Sequence, residues 1–224
     1  MNNKILIIPA AANKPIYKEQ IPSIFKIDDN GYMRILNNMN GLPLDEFEHI
    51  YITINKEVCE QYDISGMLLL QLASLKLDYK TDVIVIDNTK NVVETIIQTL
   101  ENINLSHDYG VFIKDADAKF EINDIVNENT VYTYHLEDVS SINPSSKSYV
   151  TTTSDDIILN IIEKRVISSE FCAGGYFFND VNKLMELCDD TSIYDKLYLS
   201  NVIYYDIIRN NELYRTELVN NFNE

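Results

Sequence analysis

The stretch YGVFIKDADAKFEIND, residues 109–124, decides the fold because an apolar run in it ends abruptly at charged residues. The run at residues 111–113 is β-branched or aromatic and is bounded by charge, as in a buried strand of a parallel sheet. Asp115 and Asp117 follow it, and open α/β sheets bind ligands just past the carboxyl ends of their strands. Side chains two residues apart on an extended chain point the same way. The stretch therefore suggests a pair of carboxylates that could hold a metal ion.

Similar apolar runs recur in the first part of the chain, with helical patterns between several of them. The predicted strands lie at residues 4–8, 49–54, 82–86, 109–113 and 130–134, and predicted helices at residues 65–75 and 91–103. Strands that alternate with helices form a mostly parallel sheet with helices on both faces. The sequence therefore predicts an α/β protein with a Rossmann-like, mostly parallel mixed sheet.

The pattern changes after about residue 140. Residues 140–156 are rich in Ser, Thr, Asn and Pro and lack a clear period, which predicts either a long loop or a crossing into a different part of the sheet. The elements predicted beyond it are strands at residues 157–163 and 171–178, helices at 180–188 and 194–209, and an edge strand at 213–219. A chain of 224 residues is long enough for one large domain and short for two, so residues 1–224 are expected to form a single domain.

The composition excludes several classes of protein. A net charge of -17 argues against a nucleic-acid or anionic-membrane partner, because both require a dense basic surface. The apolar run at residues 5–8 is too short for a signal sequence or a membrane span, so we expect a cytoplasmic protein without membrane insertion. The three cysteines lack any CxxC spacing, which predicts reduced thiols and neither a disulfide framework nor a zinc site.

The loop after the first strand, residues 9–27, contains no glycine. The first glycine of the chain is Gly31, so a glycine-rich phosphate cradle cannot be built in this loop in the usual way. Lys14, Lys18 and Lys26 could supply positive charge instead, although lysines in a loop are more often simply solvated.

Two further features bear on a site. Mg²⁺ and Mn²⁺ prefer oxygen ligands, usually one or two carboxylates with water and substrate phosphate, which the Asp115 and Asp117 pair could provide. A solvated turn or a helix cap would explain the same pair. Gly174 and Gly175 interrupt a β-prone run and indicate either a bulge or a close approach of a ligand to the backbone. A tight packing corner is the alternative.

Taken in order, these segments resemble the nucleotidyltransferase family that makes nucleotide sugars and related activated compounds, which shares the fold of GT-A glycosyltransferases. The resemblance covers ILIIPAA at residues 5–11, IPSIFKI at 21–27, NTKNVVET at 88–95, DAD at 115–117, EK at 163–164, AGGY at 173–176 and YLSNV at 198–202. These segments span nearly the whole chain, and their order and spacing match the family better than any single motif does.

The resemblance implies a function and a role for individual residues. It implies nucleotide binding by Ala10, Ala11 and Lys14, binding of Mg²⁺ or Mn²⁺ by Asp115, Asp117 and Asn201, acceptor binding by Glu163, Lys164, Gly174 and Gly175, and catalytic roles for Lys26, Lys164 and Asp115. The implied reaction joins a nucleoside triphosphate to a phosphorylated acceptor, such as a sugar 1-phosphate, and releases pyrophosphate. Surface polysaccharide synthesis is a common setting for the family.

Three departures from the family's pattern affect phosphate or metal binding. The glycine-rich loop is replaced by ANKP at residues 12–15, Ser23 stands where the family has a lysine after proline, and Asn201 stands where it has a second aspartate. Lys26 and Asp117 are the candidates to replace the missing charges. Two alternatives therefore stay open, namely a GT-A-type glycosyltransferase that uses a nucleotide diphosphate sugar, and a catalytically inactive nucleotide-binding relative.

Overall fold

The protein is described by a computed structural model that covers residues 3–12, 21–103, 105, 109–139, 141–191 and 197–223. The strands are β1 Asn3–Ala10, β2 His49–Asn55, β3 Thr81–Ile86, β4 Tyr109–Lys114, β5 Lys119–Glu121, β6 Thr130–His135, β7 Ser148–Thr152, β8 Ile158–Glu163, β9 Glu170–Phe178, β10 Arg215–Leu218 and β11 Asn220–Asn223. The helices are α1 Arg34–Asn37, α2 Lys56–Tyr62, α3 Ile64–Ser74, α4 Val92–Asn102, α5 Val181–Thr191 and α6 Leu199–Asn210. Short 3₁₀ turns lie at Ser23–Phe25, Leu44–Glu46, Asp78–Lys80, Leu136–Asp138 and Pro144–Ser146.

The central element is a nine-stranded mixed sheet whose main strand order is β10-β6-β9-β4-β1-β2-β3. β1 pairs in parallel with β2 and β4, β2 pairs in parallel with β3, and β6 does so with β10. β9 runs antiparallel between β4 and β6, and the antiparallel hairpin of β7 and β8 joins it. The predicted α/β class with a mostly parallel sheet is confirmed.

Helices cover both faces of this sheet, as predicted. Alternate residues of β1 enter different cores: Leu6 and Ile8 pack with α1, α2 and α3, whereas Ile5 and Ile7 pack with α4, α5 and α6. A strand buried on both faces requires apolar residues at every position, which explains the continuous run at residues 5–8. Within the part of the chain that the structure describes, no helix is both long and apolar enough to cross a bilayer.

Most predicted elements are present, and of the two alternatives for residues 140–156 the long loop is wrong, because the segment enters the sheet as a strand. This segment contains β7, in which Tyr149 and Val150 are buried. β7 pairs with β8, and Ser148 lies opposite Glu163. The β-branched and aromatic residues of this strand are surrounded by Ser, Thr and Asn, and this polar composition obscured the strand signal. The last long helix begins at Leu199 rather than at residue 194, and residues 194–196 lie outside the described residues.

The sheet brings two predicted segments to one edge. β1 and β4 are parallel neighbours in the register Ile7 to Ile113, so the chain leaves both strands on the same side of the sheet. Ala10 ends β1 on that side, and Asp115 follows β4 there. The carboxyl ends of parallel strands form the ligand-binding edge of open α/β sheets. The fold therefore places both segments where a ligand would bind.

Candidate functional site

The acidic turn, which we define as residues 115–118, is the centre of the candidate site. It directly follows β4, and its carboxylate residues Asp115 and Asp117 are both half-buried. The backbone N–H of Asp115 donates to the carbonyl oxygen of Gly174 at 2.7 Å, which ties the turn to β9. The pair thus lies just past a buried strand, in the position that the sequence predicts.

A bulge in β9 supports this turn. The register between β6 and β9 shifts between Tyr132 and Thr133, so that β9 carries two extra residues, Ala173 and Gly174. Gly174 has φ +89°, and a Cβ atom there would lie 2.9 Å from both Cβ and Oδ2 of Asp115. The predicted bulge is therefore present, and the group that approaches the glycine closely is the side chain of Asp115.

Gly175 has a different environment from its neighbour. It pairs with Lys114 on β4 and with Tyr132 on β6, inside the sheet. A Cβ atom on Gly175 would lie 2.7 Å from Cζ of Phe120. The need for glycine at this position is explained by packing within the core.

Lys114 lies directly beneath the acidic turn and is only 1% exposed. Its Nζ donates to the carbonyl oxygen of Asp115 at 3.1 Å and to that of Ala118, and it lies 4.5 Å from the centre of the Phe120 ring. Burial lowers the pKa of Lys114 to about 8, against the opposing effect of the carboxylates of Asp115 and Asp117. The acidic turn is therefore hydrogen-bonded to a buried ammonium group.

Asn38 holds the same turn from another side. It follows α1, is 6% exposed, and donates from Nδ2 to the carbonyl oxygen of Ala116 at 2.8 Å. Together with Lys114, it engages the carbonyl groups of three of the four turn residues. Sequence reasoning missed both residues. A lysine at the end of an apolar strand, directly before two aspartates, is a usable signal for Lys114, whereas nothing near residue 38 points to Asn38.

A second part of the site forms where β8 ends against the start of α6. Oε2 of Glu163 accepts hydrogen bonds from Oγ of Ser200 at 2.6 Å and from Oγ of Ser148. Nζ of Lys164 lies 3.8 Å from Oε1 of Glu163 and 4.0 Å from the centre of the Tyr198 ring, and it donates to the Tyr198 hydroxyl. We call these residues the Glu163 corner. The predicted acceptor-binding pair is thus fixed against the helix that carries Asn201.

Asn201 itself caps α6. Its Oδ1 accepts the backbone N–H of Tyr198 at 3.1 Å, which satisfies one of the donors that every helix leaves free at its amino end. Asn201 therefore lies beside the Glu163 corner with one side-chain oxygen lone pair already engaged.

The acidic turn and the Glu163 corner both connect to β9. The turn does so through the hydrogen bond from Asp115 to Gly174, and the corner through β7, in which Ser148 pairs with Glu163 and Tyr149 pairs with Phe171 of β9. Burial is the main cause of the raised pKa of the Cys172 thiol and the Tyr176 phenol, and the carboxylates of Asp115 and Glu163 both raise these pKa values further. The structure therefore connects the predicted metal-binding and acceptor-binding segments to the same strand of the sheet.

The remaining predicted residues are less closely constrained. Ala10 is half-buried at the end of β1, and Ala11 is buried with its carbonyl oxygen accepting from Nδ2 of Asn55 at 3.4 Å. Lys26 is exposed just after a 3₁₀ turn. Lys14 lies outside the described residues.

Two further observations limit the chemistry. Among the described residues, no group of three or more His, Cys, Asp or Glu side chains could hold a metal ion, so a cation at the acidic turn would need ligands beyond its carboxylates. Cys59, Cys172 and Cys188 are all buried free thiols, as predicted. Burial raises the pKa of each of them, that of Cys188 to about 12.

Comparison with known proteins identifies the fold. Neither protein-family models nor curated proteins match the sequence. The inositol-1-phosphate CTP transferase of T. maritima aligns with a TM-score of 0.72 at 15% identity, over 99% of this chain and 87% of its own. The nucleoside-diphosphate-sugar pyrophosphorylase of Vibrio cholerae RC9 aligns with a TM-score of 0.76 at 13% identity, over 96% and 92%. The CTP:phosphocholine cytidylyltransferase of Streptococcus pneumoniae aligns with a TM-score of 0.65 at 16% identity, over 99% of this chain and 91% of its own. This chain therefore has the fold of the nucleotidyltransferases, as its resemblance to them implied.

Proposed function

We propose that this protein is a metal-dependent nucleotidyltransferase that joins a nucleoside triphosphate to a phosphorylated small-molecule acceptor and releases pyrophosphate. The main support is the acidic turn, which presents Asp115 and Asp117 at the ligand-binding edge of the sheet and connects to the same strand, β9, as the Glu163 corner. The fold shared with a CTP transferase, a nucleotide-sugar pyrophosphorylase and a cytidylyltransferase supports the same reaction class.

Asp115 and Asp117 are the proposed ligands of Mg²⁺ or Mn²⁺. Mg²⁺ is usually bound through one or two carboxylates, with the other positions taken by water and substrate phosphates, so a site with only two half-buried carboxylates suits it. Asn201 is the proposed third ligand, through the oxygen lone pair that the helix cap does not use. When bound, the cation would neutralise charge on the triphosphate.

The protein's own residues would position the two substrates. Lys164 is proposed to bind the acceptor phosphate, with Glu163 and Tyr198 fixing its ammonium group at the corner. The backbone of Ala10 and Ala11 would contact the nucleotide base. Lys14 and Lys26 would contact the triphosphate in place of the missing glycine-rich loop.

In the proposed reaction, an oxygen of the acceptor phosphate forms a bond to the α-phosphorus as the bond to the β-phosphate oxygen breaks. The attacking phosphate oxygen is already anionic, so the reaction depends on positioning and charge neutralisation more than on a general base. We further propose that the activated product serves surface polysaccharide synthesis.

The test is pyrophosphate release over a matrix of substrates. ATP, CTP, GTP, UTP and dTTP are each paired with sugar 1-phosphates, inositol 1-phosphate and phosphocholine, with Mg²⁺, with Mn²⁺ or with a chelator. We expect one pairing to turn over only with metal, and the variant Asp115→Ala to abolish it. Full turnover by Asp115→Ala would reject the proposed mechanism.

Two other outcomes would favour the alternatives. Metal-dependent hydrolysis of a nucleotide diphosphate sugar, with no reaction of any triphosphate, would indicate a GT-A-type glycosyltransferase. Binding without turnover in every pairing would indicate an inactive relative, which the amide at Asn201 and the loop without glycine favour.

A further inference from the structure

We propose that Lys114 is a positioning residue, which holds the acidic turn in the conformation in which Asp115 and Asp117 bind a divalent cation. Because that cation belongs to the proposed function, this role of Lys114 depends on it. The positioning consists of hydrogen bonds from a buried ammonium group to the two ends of the turn.

The position of Lys114 is unusual for a lysine. It ends a strand in which residues 111–113 are completely buried, and its own side chain is 1% exposed. A buried ammonium group is costly unless its donors are satisfied. Here they bond the carbonyl oxygens of Asp115 and Ala118, the first and last residues of the turn. Lys114 thus links both ends of the acidic turn through one nitrogen atom.

Two other elements complete the support. Nδ2 of Asn38 donates to the carbonyl oxygen of Ala116 at 2.8 Å, and the N–H of Asp115 donates to the carbonyl oxygen of Gly174 at 2.7 Å. The turn is therefore held by β4, by the residue after α1 and by β9. Three of its carbonyl groups accept protein hydrogen bonds, which fix the backbone from which the two carboxylates extend.

Such support matters because the turn has no regular structure of its own. A cation held by two carboxylates needs them at a fixed separation, and a four-residue turn without support would adopt many conformations. Residues that orient metal ligands through hydrogen bonds commonly affect metal affinity strongly without touching the metal. Lys114 meets this description through backbone groups rather than through the carboxylates.

The chain contains a matched control. Lys80 is also buried, at 6% exposed, and its Nζ donates to the carbonyl oxygens of Leu44 at 2.6 Å and Phe47 at 3.5 Å. It therefore bridges a turn in the same way, but this turn precedes β2 and lies away from the ligand edge. Replacing Lys80 by methionine removes the same chemical groups at a turn that has no part in the proposed reaction.

The experiment compares the full-length wild type with Lys114→Met, Lys80→Met and Asn38→Ala. The binding of Mn²⁺ alone is measured by electron paramagnetic resonance, and amide hydrogen exchange is measured for peptides that cover residues 109–124. We expect Lys114→Met to weaken Mn²⁺ binding by about 10- to 100-fold and to accelerate exchange across the acidic turn. Lys80→Met should leave both measurements unchanged.

Mn²⁺ binding that is equal or tighter in Lys114→Met, with unchanged exchange across the turn, would overturn the positioning role. If Lys114→Met does not fold, Asn38→Ala provides the test, because the loss of its hydrogen bond to the turn should also weaken Mn²⁺ binding. Unchanged Mn²⁺ binding in Asn38→Ala would count against the positioning role. A wild type that binds no Mn²⁺ and turns over no substrate would instead reject the proposed function. The two failures are therefore distinguishable.

Discussion

In the part of the chain that the structure describes, Lys80 and Lys114 each close a turn from a buried position, and only one of these two turns is a candidate site. Lys80 bonds the carbonyl groups of a turn built on Leu44–Glu46, and Lys114 bonds those of the acidic turn. Both turns carry two acidic residues. The first turn leads into β2, whereas the second follows β4. The two turns therefore share a local arrangement, but only the acidic turn lies at the edge where open α/β sheets bind their ligands.

The carboxylates of the two turns differ accordingly. In the first turn, Asp45 is fully exposed, and Glu46 accepts from Nζ of Lys4 at 2.6 Å and from the N–H of Ile125 at 3.2 Å. Glu46 is thus engaged in joining distant segments. In the acidic turn both aspartates are half-buried beside the bulge of β9. Partial burial at the ligand edge, rather than the number of carboxylates, distinguishes the candidate site.

The largest expected effect contrasts a carboxylate from each turn. Asp117→Asn should lower kcat/KM for pyrophosphate release by about 10²- to 10³-fold, because it removes charge that would neutralise the cation and fix its position. Asp45→Asn should leave kcat/KM unchanged, since that carboxylate is solvated. Equal effects of the two substitutions would remove the distinction between the turns.

The next comparison tests how tightly the acidic turn is packed. Gly174→Ala should lower the free energy of unfolding by about 2 to 4 kcal/mol, through both the positive φ and the contact with Asp115. Gly31 has a similar φ of +85°, but no atom lies within 4 Å of the place that a Cβ would occupy, so Gly31→Ala should cost only about 1 kcal/mol. Urea denaturation measures both, and equal losses would show that the contact with Asp115 is unimportant for stability.

A pH titration tests whether the ammonium group of Lys114 is buried as described. Its pKa is about 8 in the folded protein and about 10.5 when unfolded, so between these values the unfolded chain binds more protons and stability rises with pH. In metal-free protein, the wild type should gain about 2 kcal/mol relative to Lys114→Met between pH values of about 7.5 and 10. Comparing the two proteins cancels the contribution of the other titrating groups to the pH dependence. Parallel curves of stability against pH for the two proteins would contradict the prediction.

The smallest expected effect concerns the start of α6. Asn201→Asp keeps the oxygen that accepts the Tyr198 N–H and adds a negative charge at a helix amino end, which should stabilise the metal-free protein by about 0.5 kcal/mol. It should also lower the Mn²⁺ concentration required for half-maximal activity. Asn201→Ala, which loses the cap, is the control for thermal denaturation. A destabilised Asn201→Asp would show that the cap requires an amide.

The parts of the structure that follow from local pattern could be predicted from the sequence. Strands buried on both faces produce continuous apolar runs, which is why β1, β2 and β4 and the position of Asp115 beyond β4 were predicted correctly. β7 could not be recognised because its polar neighbours obscure its period. Asn38 could not be recognised because its partner, Ala116, is 78 residues away in sequence and meets it only in the folded protein.

Gly174 and Gly175 likewise show what could and what could not be predicted from the sequence. The pair at Gly174 and Gly175 indicated a special backbone position, and the bulge is present. The sequence could not show that the two glycines have different causes, a contact with Asp115 for one and with Phe120 for the other, because both partners arrive from another part of the chain.

The three buried thiols give the molecule a built-in set of chemical reporters. A thiol whose pKa is raised by burial reacts with an alkylating reagent only when its surroundings open to solvent. Cys59 reports on α2, Cys188 on α5, and Cys172 on β9, the strand to which the acidic turn is hydrogen-bonded. Slower alkylation of Cys172 alone would therefore reveal a bound ligand from a mixture of candidates before any substrate is known.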